Sequence, residues 1–355
     1  MYFDIKPKTI KKDLFGVEYQ LKLLESYIQD NSIRIIVIKG LRRTGKTSLL
    51  NVALNETKIK NIKIDVREAP FYDRKEFLIF LIRKIKDKTK DIFERIIEKI
   101  AGVKLGYEKF SIELFFSKER NVDLFFENLN SQLRKNKQFL VLALDEAQLL
   151  KNINFDYIIA NIFDNYERIR FILTGSEIGI LDKLLGKDDH AAPLFGRAYL
   201  EIELKRLREE DTLKFLEEGF KQVNKKIKFE EMREVIENLD GIIGWVTYYG
   251  WFRSKGLSHE KALERVKEEG KGIIKEEIEH FLQNRRAKAN YLRVIKYLIK
   301  GHNNWSSLKQ AFKKEGIKIF DSQLNLYLKE LIDFGFVEKS FEQYFVTDPL
   351  LMLFK

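Results

Sequence analysis

Ile33-Arg34-Ile35-Ile36-Val37-Ile38-Lys39-Gly40-Leu41-Arg42-Arg43-Thr44-Gly45-Lys46-Thr47 decides how this chain reads. The β-branched run Ile33 to Ile38 has the length and composition of a strand, and an apolar helical stretch begins at Ser48. Between them stands the pattern G-x-x-x-x-G-K-[ST]. In that setting Gly40 and Gly45 let the backbone turn tightly, so that successive N–H groups face phosphate oxygens while the helix adds its positive end. Lys46 is then expected to reach the β and γ phosphates. Thr47 brings a hydroxyl to where Mg²⁺ sits between them.

Such a cradle needs an acid at the end of a neighbouring strand before it can hydrolyse anything. Phe139-Leu140-Val141-Leu142-Ala143-Leu144 ends in Asp145-Glu146, and the run shows no period-2 alternation. That is expected of a central parallel strand covered by helices on both faces. Asp145 is read as holding the Mg²⁺ water shell, and Glu146 as the general base for an attacking water. A third buried strand, Arg170 to Leu173, ends in Thr174-Gly175-Ser176, which delivers a hydroxyl to the carboxyl edge where such sheets bind ligands. Thr174 is the candidate contact to the γ phosphate or the water, with Ser176 as the alternative. Ile62 to Val66 is a fourth strand, with Asp65 near its end and Arg67 after it, and Leu200 to Leu204 is a fifth. Pro193-Leu194-Phe195-Gly196-Arg197 delivers an arginine just before that fifth strand. Arg197 is a candidate for stabilising γ-phosphate charge, in its own site or in a neighbour's.

Composition limits the alternatives. The 355 residues are 45% hydrophobic and 13% aromatic, enough for two or three packed domains without staples. The absence of cysteine excludes disulfides, thiol catalysis and cysteine metal sites, and a cytoplasmic location is expected. The longest wholly apolar run, Phe139 to Leu144, is far below the ~18 residues of a membrane helix, so no membrane partner is expected. Net charge is +11, and residues 285–355 carry 13 Lys or Arg against 7 Asp or Glu, a surplus of +6. An anionic partner suits that surplus, as does a solvated basic surface.

Taken with their order and spacing, these motifs resemble a family: the predominantly archaeal ATPases of the AAA+ class related to the STAND signalling ATPases. The resemblance spans nearly the whole chain. It rests on Phe15-Gly16-Val17-Glu18, the phosphate loop through Leu50, Ile64-Asp65-Val66-Arg67-Glu68, Leu144-Asp145-Glu146-Ala147-Gln148, Leu173-Thr174-Gly175-Ser176, Leu194-Phe195-Gly196-Arg197, Asp240-Gly241-Ile242-Ile243-Gly244-Trp245 and Asp348-Pro349-Leu350. Two positions depart from the family pattern: Val17 stands where arginine is usual, and Ile243 where proline precedes the lid glycine. The resemblance implies an α/β fold, with a P-loop (ASCE/AAA+) parallel-sheet ATPase core, an all-helical lid and a C-terminal winged-helix domain, as in origin-recognition initiators. It also implies nucleotide contacts from Phe15 and Gly16 and from Gly40, Arg42, Arg43, Thr44, Gly45, Lys46, Thr47 and Ser48, with Thr47 and Asp145 serving the metal.

The rest of the chain fits that division into residues 1–205, 206–284 and 285–355. Leu78 to Lys118 reads as inserted helices. Helical periodicity runs from Leu207 to Asn238, breaks at Asp240-Gly241 and Gly244, and resumes after Phe252 to Leu282. Its aromatic cluster, Trp245, Tyr248, Tyr249, Trp251 and Phe252, suits a small core better than base stacking. The last part reads as helices Asn290 to Lys300, Ser306 to Lys314 and Ser322 to Phe334, with Asp321 as N-cap, then wing strands Phe336 to Lys339 and Tyr344 to Thr347. The third helix, the recognition element of such a module, carries a net charge of −1 over its polar residues. Basic residues lie instead at Arg285, Arg286, Lys288, Arg293, Lys296, Lys309, Lys313 and Lys314. The reading is therefore a slow Mg²⁺-dependent ATPase that works as a conformational switch, with ATP and Mg²⁺ as cofactors. No separate Asn-Lys-x-Asp guanine motif favours GTP. The alternative is a DNA-binding relative in which ATP is mainly structural and the winged helix makes weak, sequence-tolerant contacts. A protein partner for the module is the other use.

Overall fold

A computed structural model describes residues 1–69, 73–101, 115, 116, 118–187 and 189–354. Strand β1 (Ile35–Gly40) starts two residues later than its apolar run and carries on to the first loop glycine. Ile35 and Val37 enter one apolar cluster and Ile36 and Ile38 enter another. The same division splits β3 (Leu140–Asp145), with Leu140, Leu142 and Leu144 on one face and Val141 and Ala143 on the other. Both faces are covered, which is why neither run alternates with polar residues. With β2 (Lys60–Asp65), β4 (Ile169–Gly175) and β5 (Leu200–Leu204), they form a parallel sheet in the order β2-β3-β4-β1-β5.

Helices α1 (Glu18–Gln29) and α2 (Lys46–Thr57) cover one face through Leu21, Leu24, Leu49 and Leu50. The other face takes α3 (Arg74–Lys88), α4 (Lys90–Ala101), α5 (Glu119–Lys135), α6 (Asp156–Asn165) and α7 (Ile178–Leu185). The insertion read over Leu78 to Lys118 is helical in α3 and α4, and residues 102–114 and 117 lie outside the described residues.

After β5 come α8 (Glu209–Gln222), α9 (Phe229–Leu239), α10 (Ile243–Ser254) and α11 (His259–Leu282). The stretch read as one helical run to Asn238 is thus two helices, separated where Asn224 adopts a left-handed φ of 54°. Gly244 lies inside the first turn of α10 and is not a break. The winged helix consists of α12 (Lys288–Ile299), α13 (Trp305–Lys314), α14 (Asp321–Asp333) and the antiparallel pair β6 (Val337–Ser340) and β7 (Gln343–Val346). Asp321 is the first helical residue and not the cap. Phe320 caps α14, and its N–H is accepted by Gln323 Oε1 at 3.0 Å.

One continuous apolar cluster joins α8 to α11 with the winged helix, running through Phe215, Trp245, Phe281, Tyr291 and Leu331 to Leu351. Phe3 lies in it, edge-on to Phe215 and Phe220 at 5.7 and 5.1 Å between ring centroids. Among the described residues no helix is long and apolar enough to cross a membrane.

Candidate functional site

The carboxyl ends of β1, β3 and β4 share one edge of the sheet, and the chain leaves β1 there through Gly40 to Gly45 into α2. Gly45 has φ 92°, a conformation open to glycine and strained for side-chain-bearing residues. Lys46 follows with its ammonium inside the turn, donating to Gly40 O at 2.9 Å and Leu41 O at 2.7 Å. Burial lowers its pKa to about 8, opposed by Glu146 and Asp145 and reinforced by Arg42 and Arg43. Nearby phosphates would relieve that cost.

Thr47 Oγ1 donates to Asp145 Oδ2 at 2.8 Å, and Lys63 Nζ stands 3.7 Å from the same oxygen. Asp145 is fully buried. A hydroxyl and a carboxylate converging in this way are the hard oxygen donors that Mg²⁺ takes from a protein when phosphates and water complete its shell, so the residues fit that ion. Glu146 has φ 57°, which turns the chain off the strand. Its Oε2 accepts from Ser176 Oγ at 2.9 Å and from Gln148 Nε2 at 2.6 Å.

Thr174 is placed differently from the sequence reading. It is fully buried, and its hydroxyl donates to Asp145 Oδ1. It positions the acid from behind, while Ser176, the alternative, lines the cavity beside Glu146. That cavity, about 830 Å³, is lined by the N-terminal segment with Phe15, Val17 and Tyr248, by the phosphate loop, and, at its hydrolytic end beside the acid pair, by Arg67, Glu146 and Ser176. Phe15 packs edge-on to Tyr2 and Phe215, and Gly16 N donates to Glu18 Oε1. The Ser48 hydroxyl is engaged by Lys8 N–H at 3.0 Å. Thr44 Oγ1 donates to Leu41 O at 2.8 Å, within the loop.

Arg42 and Arg43 line the cavity, yet their guanidinium groups turn into the C-terminal half. Arg42 donates to Phe334 O at 2.7 Å, at the end of α14, and to Glu177 Oε1 at 2.9 Å, and stacks 5.1 Å from the Phe336 ring. Arg43 donates to Glu277 Oε1 at 2.7 Å, lies 3.6 Å from Asp348 Oδ2, and stacks 4.2 Å over Trp245. Trp245 Nε1 in turn donates to Asp348 Oδ2 at 2.9 Å. Gly244 N donates to Arg43 O at 3.0 Å, and a Cβ at Gly244 would meet Arg43 Cβ at 2.6 Å. For phosphate, these two loop residues keep only their backbone N–H groups.

Arg197 is not brought to the cavity within this chain. It pairs with Asp164 at the end of α6 and donates to Pro193 O, beside the start of β5 and so at the opposite edge of the sheet. Arg67, Gln148, Glu177 and Tyr248 line the cavity without having been singled out for it by the motifs. Arg67 carried a signal in its position, two residues past the acid that ends β2, Gln148 in the motif that follows the acid pair, and Tyr248 in the aromatic cluster weighed for base stacking and assigned to the core.

A parallel sheet whose β1 passes through a phosphate loop into a helix, beside an acid pair at the end of β3, defines a P-loop ATPase fold. This chain belongs to the family of ATPase domains predominantly from Archaea, which matches residues 17–249. Residues 285–346 match the C-terminal winged helix-turn-helix domain of MCM proteins. The chain is similar to a Walker-type ATPase of Pyrococcus abyssi, with TM-score 0.81 and 28% identity over 100% of this chain and 99% of that one. It shares its fold with the Aeropyrum pernix ORC2 protein, solved in ADPNP–ADP complexes, at TM-score 0.60 and 14% identity over 99% and 95%. An uncharacterized protein of Methanocaldococcus jannaschii is 22% identical over 91% of this chain, which spans 61% of that relative's length.

Proposed function

We propose that the chain binds Mg-ATP, hydrolyses it slowly to ADP and phosphate, and uses the change to alter how core, lid and winged helix pack, with divisions near residues 205 and 285. The observation that carries this reading is that the phosphate loop is itself bonded to both C-terminal parts through Arg42 and Arg43. Movement of the loop on taking phosphates is then felt at Phe334, Glu277 and Asp348. Lys46 and the loop N–H groups hold the β and γ phosphates, and Thr47 and Asp145 hold the metal, which neutralises phosphate charge. Glu146 accepts the water's proton once it leaves Ser176 or Gln148. A cytoplasmic location suits a cysteine-free chain of this kind.

Lys46→Ala should abolish the rise in melting temperature that Mg-ATP gives the parent. Glu146→Gln should keep that rise and slow phosphate release by about 10² or more. Equal stabilisation of the Lys46 variant and parent would overturn the reading.

A second reading, weak DNA contact, is supported by the winged-helix match and by five basic residues. Arg286, Lys288, Lys296, Lys313 and Lys314 are exposed and without an ion pair among the described residues. Three other basic candidates are engaged: Arg285 by Glu330, Arg293 by Glu315 and Lys309 by Asp321. Anisotropy titration of duplex DNA at several salt concentrations tests it. Log affinity should fall by about 0.9 per phosphate contacted for each unit of log salt.

A further inference from the structure

The hydrolytic end of the cavity holds Glu146 with buried Lys46, and Asp145 behind them, while the arginines expected to serve it point elsewhere. Arg42 and Arg43 are taken by the lid and winged helix, and Arg197 stands at the far edge of the sheet. One arginine faces this end. Asp65, the last residue of β2, is paired in register with Asp145 of β3, so the turn that follows, Val66–Glu68, starts level with the acid pair and packs against the turn Ala147–Ile153 beyond Glu146. Arg67 is the middle residue of that turn and lines the cavity with Glu146 and Ser176.

Its guanidinium is held as a fork. Asp65 accepts Nε at 2.9 Å and Nη2 at 2.6 Å, and also the Arg67 backbone N–H at 3.0 Å. Nη1 has no partner among the described residues. An exposed ion pair between residues two apart adds little to stability. Its effect is geometric: it fixes one face of the guanidinium and leaves the other to solvent. The hydrogen bonds it donates to Asp65, with the fields of Glu146 and Asp145, push its pKa up further.

Resting on the ATPase reading above, we infer that Arg67 is the arginine that balances charge on the γ-phosphoryl group during hydrolysis, in cis, with Asp65 as its positioning residue. In that step the water oxygen bonds to Pγ while the bond from Pγ to the β–γ bridging oxygen breaks. The water's proton passes to Glu146, and ADP and phosphate leave. Arg67 transfers no proton. It donates from its free edge to γ oxygens as their charge spreads, an interaction stronger in the transition state than in bound ATP.

The test compares full-length parent, Arg67→Ala, Arg67→Lys and Asp65→Asn for phosphate release, ATP affinity and capture of ADP with aluminium fluoride, a mimic of the transferring phosphoryl group. Arg67→Ala should lower kcat by about 10³, the lower side of what such arginines supply, with ATP affinity within about threefold of the parent. It should also lose the aluminium fluoride complex. Arg67→Lys should recover part of kcat because it keeps the charge, and Asp65→Asn should lose part of it. Turnover of Arg67→Ala within threefold of the parent, with the trapped complex intact, overturns the assignment and leaves the ATPase reading standing. Equal losses of kcat, ATP affinity and nucleotide-free melting temperature would make Arg67 structural, which also overturns it. A parent that binds ATP but releases no phosphate overturns the hydrolysis reading and this inference together.

Discussion

Asp145 has no contact with solvent, and its two oxygens are taken by hydroxyls from two elements, Thr47 on α2 and Thr174 on β4. Leaving a buried polar group short of a donor costs about 1–3 kcal/mol, more when it is charged. Thr174→Val keeps the shape and removes the donor, so it should lower unfolding free energy by about that amount in urea titration. Thr174→Ser should restore most of it. Equal stability of the valine variant and parent would show that Lys63 and Thr47 satisfy Asp145 alone. At this scale the sequence was legible wherever adjacency fixes geometry: Lys46 next to Thr47, or Asp145 closing an apolar strand. It assigned Arg42 and Arg43 to the nucleotide and missed where their side chains turn, because Glu277, Phe334 and Asp348 lie more than two hundred residues further along. The same limit hid Thr174, whose partner is set by strand order and not by local spacing.

The strands β1, β3 and β4 were readable as elements because burial on both faces leaves an uninterrupted apolar run at the middle of each, Ile35 to Ile38, Leu140 to Leu144 and Phe171 to Leu173. Their ends were less so, and β1 runs on to Gly40 because pairing with β5 continues to Leu204. Gly244 was misread as a break because glycine is ordinarily a poor helix interior residue. Here it is where the lid backbone bonds the phosphate loop, Gly244 N donating to Arg43 O at 3.0 Å. Two effects oppose each other at that position. Helix propensity alone would make Gly244→Ala stabilising by about 1 kcal/mol. The new methyl would meet Arg43 Cβ at 2.6 Å and Arg43 O at 3.1 Å, atoms tied to the loop backbone, and overpacking of that kind costs about 1–3 kcal/mol. Gly244→Ala should therefore lower the melting temperature, and lower it more when Mg-ATP is present. A gain in stability would mean that the lid moves aside at little cost.

For the molecule as a whole, the arginine pair makes a definite forecast. Arg42→Ala with Arg43→Ala removes the bonds to Glu177, Glu277, Phe334 and Asp348 and the stacking on Phe336 and Trp245, while keeping every residue of the continuous core of lid and winged helix. Small-angle scattering of the nucleotide-free variant should show a larger radius of gyration than the parent, and ADP and ATP should no longer change it differently. Identical radii in all states would mean that packing elsewhere holds the parts together. The shared core also predicts that any movement carries lid and winged helix together, as one piece, against the sheet. That piece is joined to the sheet by the chain after β5, and a second time by the N-terminal segment, whose Phe3 is buried in the lid while Lys8 N–H is bonded to Ser48 on α2. A rigid piece held at two separated points has one rotation left, about the line through them. With the arginines released, the lid and winged helix would turn about that line like a door on two hinges once Asp333, at the end of α14, also gives up Lys183 of α7, 2.6 Å away.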